Sequence, residues 1–191
     1  QAIERRECSA VYRYYLNYCT YSYSMAFWTR ERWEQEIDWM ALHGINIPLA
    51  LVGTDVVWKN VLAEAGYKRE DIDKFVAGPG FQAWWLMNNL EGWGGPNPDW
   101  WYERQEQLCK FILGRMRSLG MEPVLPGYGS ILPSNAPEKM GVNVIDQGYW
   151  CSGFRRPSFL LPTDERYAEI TQLYYKHLEK VMGKSRYYSM D

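Results

Sequence analysis

Residues 29–52, TRERWEQEIDWMALHGINIPLALV, decide the fold. In the first half Trp33, Ile37, Met40 and Ala41 recur at the three-to-four spacing of one helix face. Thr29 stands where a cap belongs and Gly44 supplies the stop, so the spacing predicts a helix over 30–43. The second half, INIPLALV (45–52), is nearly continuous apolar sequence and too short for a buried helix. That pattern predicts a strand covered on both faces, as in parallel sheets, although Pro48 cannot donate to a central ladder.

Working outward, the same alternation recurs. Upstream, YRYYLNYCTYSY (12–23) is Tyr-rich and reads as an extended, β-favouring run. Downstream, Thr54 is placed to cap a helix over 55–65, and a short helix over 69–76 is broken by Gly78-Pro79-Gly80. The apolar, aromatic segment FQAWWLMNNL (81–90) and the turn-rich loop GWGGPNP (92–98) precede a long amphipathic helix over 99–119. A strand over 121–128 follows, then an irregular Gly/Pro-rich stretch over 130–159. A helix over 164–182 carries Tyr167, Ile170, Leu173, Tyr174, Leu178 and Val181 at helical period, and RYYSMD (186–191) reads as a last strand. The order βαβα–insert–βαβ implies an α/β fold with parallel strands and helices outside. Four such units are half of a (β/α)8 barrel of TIM type or a small open sheet. In either case function belongs to the carboxyl ends of the strands and the loops that follow them.

Composition removes several classes of function. The 191 residues carry 21 Lys+Arg against 23 Asp+Glu, a net charge of −2, which leaves no basic surplus for nucleic acid or anionic membranes. No apolar run approaches the ~18 residues that a membrane span needs. Two histidines and four scattered cysteines without CxxC make poor zinc material, so neither metal nor cofactor is expected. Phosphate-loop, dinucleotide, HExxH and GxSxG signatures are absent from the sequence. His43 and His177 fall in predicted helices and read as solvated or helix-end residues. Glu31, Glu34, Glu36 and Asp38 spread around one helix with Arg30 and Arg32 beside them, the pattern of a solvated face. Asp55 reads as a carboxylate stabilising the first turn of its helix.

The aromatic fraction is unusual, at 16% with ten tryptophans. Trp33 reads as packing, and Trp39 as packed or partly exposed. Trp84, Trp85 and Trp150 fall in loop regions and are harder to assign to a core. Flat indole faces suit the C–H faces of sugar rings, whose hydroxyls require polar partners such as Asn17, Tyr23, Asn88 and Asn89. From spacing alone, core packing and a sugar site are evenly matched for Trp84 and Trp150.

Longer strings carry more. YRYYLNYCTYSYSMAFW (12–28), RWEQEIDWMALHGINIPLAL (32–51), GPGFQAWWLMNNL (78–90), RMRSLGMEPVLPGY (115–128), GVNVIDQGYW (141–150) and SFLLPTDERY (158–167) together resemble family-89 glycoside hydrolases, the α-N-acetylglucosaminidases. The resemblance covers nearly the whole chain. It implies a fragment, residues 1–191, spanning about the first four β/α units of a (β/α)8 barrel with long inserted loops. The rest of the barrel and an all-α domain are expected beyond it. The implied reaction is retaining hydrolysis of terminal α-linked N-acetylglucosamine by two glutamates. The acid/base is expected a few residues beyond Asp191 and the nucleophile much later, so no catalytic residue is expected in this chain. The resemblance assigns Asn17 and Cys19 to the wall of the terminal-sugar pocket, with Cys19 a free thiol, and Tyr23 is a further binding candidate nearby. It assigns Trp84 and Trp150 to pocket aromatics, and Asn89 to binding or structural support. The implied partner is an N-acetylglucosamine-containing glycan, and the implied location is exported (periplasmic or extracellular) or lysosomal. A half-barrel is also expected to expose strand edges at 12–23 and 186–191 and to self-associate. The reading from a different class is a non-catalytic carbohydrate-binding module built on Trp84 and Trp150.

Overall fold

The structure, a computed structural model, describes residues 7–190. Four short parallel strands run side by side in chain order: β1 (Tyr14–Tyr15), β2 (Ile47–Pro48), β3 (Val124–Pro126) and, last in the chain, β9 (Tyr187–Ser189). Tyr14 pairs with Ile47, Leu49 bridges to Val124, and Val124 pairs with Tyr187, every pairing parallel. Helices fill each crossover. Helix α2 (Arg30–Leu42) joins β1 to β2, and α3 (Thr54–Glu64) through α6 (Asp99–Ser118) join β2 to β3. Helix α8 (Tyr167–Met182) joins β3 to β9. Contacts of α2 with α6, α6 with α8 and α8 with α3 close the outer layer. The chain is a mixed α/β fold of the expected kind.

The decisive stretch folds as its pattern dictates. The Thr29 side chain accepts from the Arg32 N–H to cap α2. Trp33, Ile37 and Met40 are fully buried, and so is Leu49 at the end of β2. Pro48 is accommodated because the bonds to β1 are donated by its neighbours, the Ile47 and Leu49 N–H groups, to the Arg13 and Tyr15 carbonyls. Glu36 pairs with Arg32 and Asp38 with Arg115, so two of the four carboxylates of α2 are held in ion pairs.

Three expectations need correction. The Tyr-rich run is not one strand: only Tyr14–Tyr15 is extended, and residues Tyr18–Tyr23 form helix α1. Leu16 turns the chain at φ +75°, Asn17 caps the helix, and Tyr18 and Tyr21, three apart, bury one face. Tertiary burial at helical period overrides the β propensity of tyrosine. Thr54 is not the cap of α3 but its first residue. Gly53 takes the cap position at φ +97°, where a Cβ would lie 2.9 Å from the Cys109 Cβ, and Thr54 Oγ1 donates to the Leu51 carbonyl. Trp85, assigned to a loop, lies in the short helix α5 (Gln82–Leu86) and is fully buried against Phe75 and Trp58.

The stretch 130–159 is also less irregular than its composition suggests. It holds β4 (Ile131–Leu132), helix α7 (Ala136–Met140), β5 (Val144–Ile145), β6 (Tyr149–Trp150), β7 (Phe154–Arg155) and β8 (Ser158–Leu160). These strands pair antiparallel as β4–β8–β5 and β6–β7. The predicted strand end at Asp191 lies outside the described residues. On their outer sides β1 and β9 have no strand partner among the described residues.

Candidate sugar-binding site

The sequence candidates converge on the segments that follow β1, β2 and β3. Asn17 stands two residues after β1, and its Oδ1 accepts from the Thr20 N–H (3.0 Å) and hydroxyl (2.8 Å). Its oxygen is therefore committed to the cap, which leaves the amide nitrogen for a ligand. Cys19 is half-buried in the first turn of α1. Tyr23 ends that helix and is 77% exposed.

Helix α5 is clamped onto α1. The Ser22 hydroxyl accepts from the Ala83 N–H at 2.9 Å and donates to the Pro79 carbonyl at 3.5 Å. That clamp sets Trp84 edge-on against Tyr23, with ring centroids 5.0 Å apart. The two adjacent indoles thus divide their roles: Trp85 fills the core, while Trp84 stays half-buried beside an exposed tyrosine.

Beyond α5, Asn88 adopts a left-handed conformation (φ +64°), and the Asn89 N–H donates to the Trp84 carbonyl at 2.8 Å. Asn88 Oδ1 receives the Gln147 side-chain amide at 3.4 Å, and the same amide donates to the Pro157 carbonyl at 2.8 Å. Gln147 thereby ties the β6–β7 hairpin to the end of α5. On that hairpin Trp150 pairs with Phe154 (centroids 6.0 Å), while Tyr149 pairs with Arg155.

The structure thus joins Tyr23 and Trp84 by direct contact and places Asn17 and Cys19 on the helix carrying Tyr23. Trp150 reaches this group through the Gln147 tether, with no ring contact to Trp84 or Tyr23 among the described residues. Sequence reasoning missed Gln147 and the position of Asn88. The only local signal was a pair of amides near aromatic segments, and the pairing spans 59 residues.

The site's side chains are amides, hydroxyls and aromatics. Arg155, near them on the hairpin, is held by Asp146 at 2.6 Å. Neutral hydrogen-bonding groups with flat apolar faces are the chemistry of saccharide recognition. Two carboxylates, buried Asp55 and half-buried Glu91, carry raised pKa values, and each accepts an N–H of the scaffold. Asp55, 2% exposed, accepts from Trp101 Nε1 (3.0 Å) and the Val56 N–H (2.9 Å); desolvation pushes its pKa up to about 6. Glu91, raised chiefly by burial, accepts from the Ser134 N–H at 3.0 Å. Among the described residues no cluster of three metal-ligating side chains occurs. All four cysteines are free thiols.

Parallel strands in chain order, helices in every crossover and polar and aromatic side chains gathered in the segments after the strands define the class: an α/β protein of successive parallel βα units, with its candidate site in the loops that follow the strands. Residues 13–191 match the family model described as the alpha-N-acetylglucosaminidase (NAGLU) TIM-barrel domain, and the chain belongs to that family. It is 42% identical over 186 residues to human alpha-N-acetylglucosaminidase, covering 94% of this chain and 25% of that protein. It superposes with a TM-score of 0.89 and 36% identity on a family 89 glycoside hydrolase from Clostridium perfringens in complex with 2-acetamido-1,2-dideoxynojirmycin. That match covers 94% of this chain and 21% of the bacterial one. A doubly Glu-to-Gln substituted form of the Clostridium enzyme, in complex with its substrate GlcNAc-α-1,4-galactose, matches equally well. The chain therefore spans about a quarter of the length of these relatives.

Proposed function

We propose that this chain forms the first four β/α units of the catalytic barrel of a retaining α-N-acetylglucosaminidase. The whole protein would remove terminal, non-reducing α-linked N-acetylglucosamine from glycans or glycosaminoglycans. The observation that carries this reading is the superposition on a glycosidase solved with its substrate, over 94% of this chain.

In a retaining glycosidase one carboxyl protonates the leaving oxygen while a second attacks the anomeric carbon, the two about 5–5.5 Å apart. Neither role falls to a residue of this chain. Its part is to seat the sugar. Trp84 and Trp150 offer flat faces to the ring and its N-acetyl methyl. The Asn17 amide nitrogen and the Asn89 side chain donate to hydroxyl or acetamide oxygens, and Tyr23 closes one side. Cys19 lines the wall as a free thiol. Such fixed contacts hold the anomeric carbon where the two glutamates can reach it, converting binding energy into orientation. The expected location of the whole protein is exported or lysosomal.

The 191-residue chain alone is expected to show no turnover of an aryl α-N-acetylglucosaminide, while the longer protein that carries it hydrolyses the same compound. Turnover by the chain alone sinks the assignment of both glutamates to later segments. Failure of the longer protein sinks the reaction.

A further inference from the structure

The pocket reading leaves one prominent tryptophan unused. Trp93 is 51% exposed, and no hydrogen bond to its indole N–H occurs among the described residues. An indole at a loop tip can serve as a fixed surface only if its own backbone is fixed, and here the main chain on either side is pinned. The Gly78 N–H donates to the Trp93 carbonyl at 2.7 Å, and the Gly92 N–H donates to the Phe75 carbonyl at 3.0 Å. Gly92 and Gly94, on either side, sit at φ +68° and +70°. The contacts are so close that a Cβ at Gly78 would lie 2.0 Å from the Gly94 oxygen, and one at Gly92 would lie 2.4 Å from the Lys74 oxygen. Phe81 (6.0 Å) and Phe154 (4.8 Å, T-shaped) buttress the ring itself.

Phe154 is also the cross-strand partner of Trp150. An unbroken aromatic path therefore leads from the pocket indole through Phe154 to Trp93. Beside Trp93 lies an open, shallow groove whose other walls include Glu70, Asp73, Lys74 and Glu91. Asp73 is held by Arg69 at 2.7 Å, and Glu91 by the Ser134 N–H, so both carboxylates are fixed acceptors in the groove that Trp93 lines. A half-exposed indole on a pinned loop, lining one groove with hydrogen-bonding carboxylates and an ammonium, matches a pyranose, which is apolar on one face and hydroxyl-rich at its rim.

We propose that Trp93 is the stacking platform of an outer subsite, binding a pyranose unit further along the same glycan whose terminal sugar occupies the pocket. The proposal rests on the pocket reading, extends it to substrates longer than a disaccharide and makes Trp93 a determinant of chain-length preference. The groove's carboxylates favour neutral sugars there over sulfated or uronic units.

Indole N–H resonances of the ¹⁵N-tryptophan-labelled chain test both readings in one titration, with Trp84→Phe and Trp93→Phe assigning the two signals. N-acetylglucosamine is expected to shift the Trp84 signal and to leave the Trp93 signal in place. A tetrasaccharide ending in GlcNAc-α-1,4-galactose is expected to shift both. Replacing Trp93 by Ala is expected to weaken the tetrasaccharide about two- to tenfold with no change for the monosaccharide, and Trp93→Phe to retain most of the affinity. A Trp84 shift with no Trp93 response to the tetrasaccharide overturns the outer subsite and leaves the pocket standing. A Trp93 shift without Trp84 overturns the continuous path, and silence from both signals overturns pocket and platform together.

Discussion

Replacing Asp55 by Asn is expected to stabilise this protein at neutral pH. The carboxyl is 2% exposed and, although it accepts two N–H groups, loss of water outweighs them and lifts its pKa from 3.8 to about 6. Lys59, one turn along α3, pulls in the opposite direction without restoring the ordinary value. Because the folded state holds this proton more tightly than the unfolded chain does, stability falls as pH rises through the window from about 4 to 6. A shift of roughly two units corresponds to about 3 kcal/mol of stability, fully present below the window and fully lost above it. Asparagine has the shape and neutrality of the protonated acid and keeps one acceptor for Trp101 or the Val56 N–H. The variant should therefore match wild type near pH 3.5 and exceed it by about 1–3 kcal/mol at pH 7. Asp71, Asp99, Asp146 and Asp164 have lowered pKa values and tilt the total curve the other way. The variant-minus-wild-type difference removes them. Urea unfolding of both proteins at half-unit steps from pH 3.5 to 7.5 gives that difference directly. If it is flat across the window, or if the variant is weaker at pH 7 than at pH 3.5, the desolvation argument is wrong.

Three further outcomes are expected. Gly53→Ala should cost about 1–3 kcal/mol in backbone strain alone, with more from the Cys109 contact, and should appear as a lowered Tm; an unchanged Tm contradicts the left-handed cap. Asn17→Ala should lose about 1 kcal/mol of helix capping as well as sugar affinity, whereas Asn17→Ser should keep the cap and lose only affinity. Equal binding of N-acetylglucosamine by wild type and Asn17→Ser, followed by calorimetry, would remove Asn17 from the pocket. Iodoacetamide should label exposed Cys8 and Cys151 first and half-buried Cys19 next. Buried Cys109, its pKa pushed up to about 12 mainly by desolvation, should react last, and N-acetylglucosamine should protect Cys19 alone. Peptide mass spectrometry reads each rate, and an unprotected Cys19 counts against its place in the wall.

How far the sequence discloses this molecule depends on how local each determinant is. Helix α2 and the buried strand after it are legible because cap, period and apolar run all fall within 24 consecutive residues. Helix α8 is equally plain from its repeating apolar positions. The Tyr18–Tyr23 helix is not, because tyrosine at six of the twelve positions 12–23 satisfies a strand as readily as a helix. What decides is Asn17 as a cap and the burial of Tyr18 and Tyr21, whose hydroxyl donates to Leu49 across 28 residues. The small strands of 131–160 are invisible for the same reason: each is two or three residues long and exists only through partners elsewhere.

The paired indoles at 84 and 85 make the limit sharpest for function. Adjacent residues of one type, in one short helix, have opposite fates, because a helix turns by about 100° per residue and only one neighbour can face the core. Which one faces inward is set by the Ser22 clamp and by Trp58 and Phe75, none of them adjacent in sequence. The long family strings locate Trp84 and Trp150, but they carry no information on how a tryptophan outside the pocket is presented. The proposed role of Trp93 rests instead on the pinned glycine turns around it and the groove that it lines, neither of which the sequence displays. An aromatic-rich sequence thus marks a protein that handles flat apolar faces, while backbone geometry decides which of those faces remain open to a ligand.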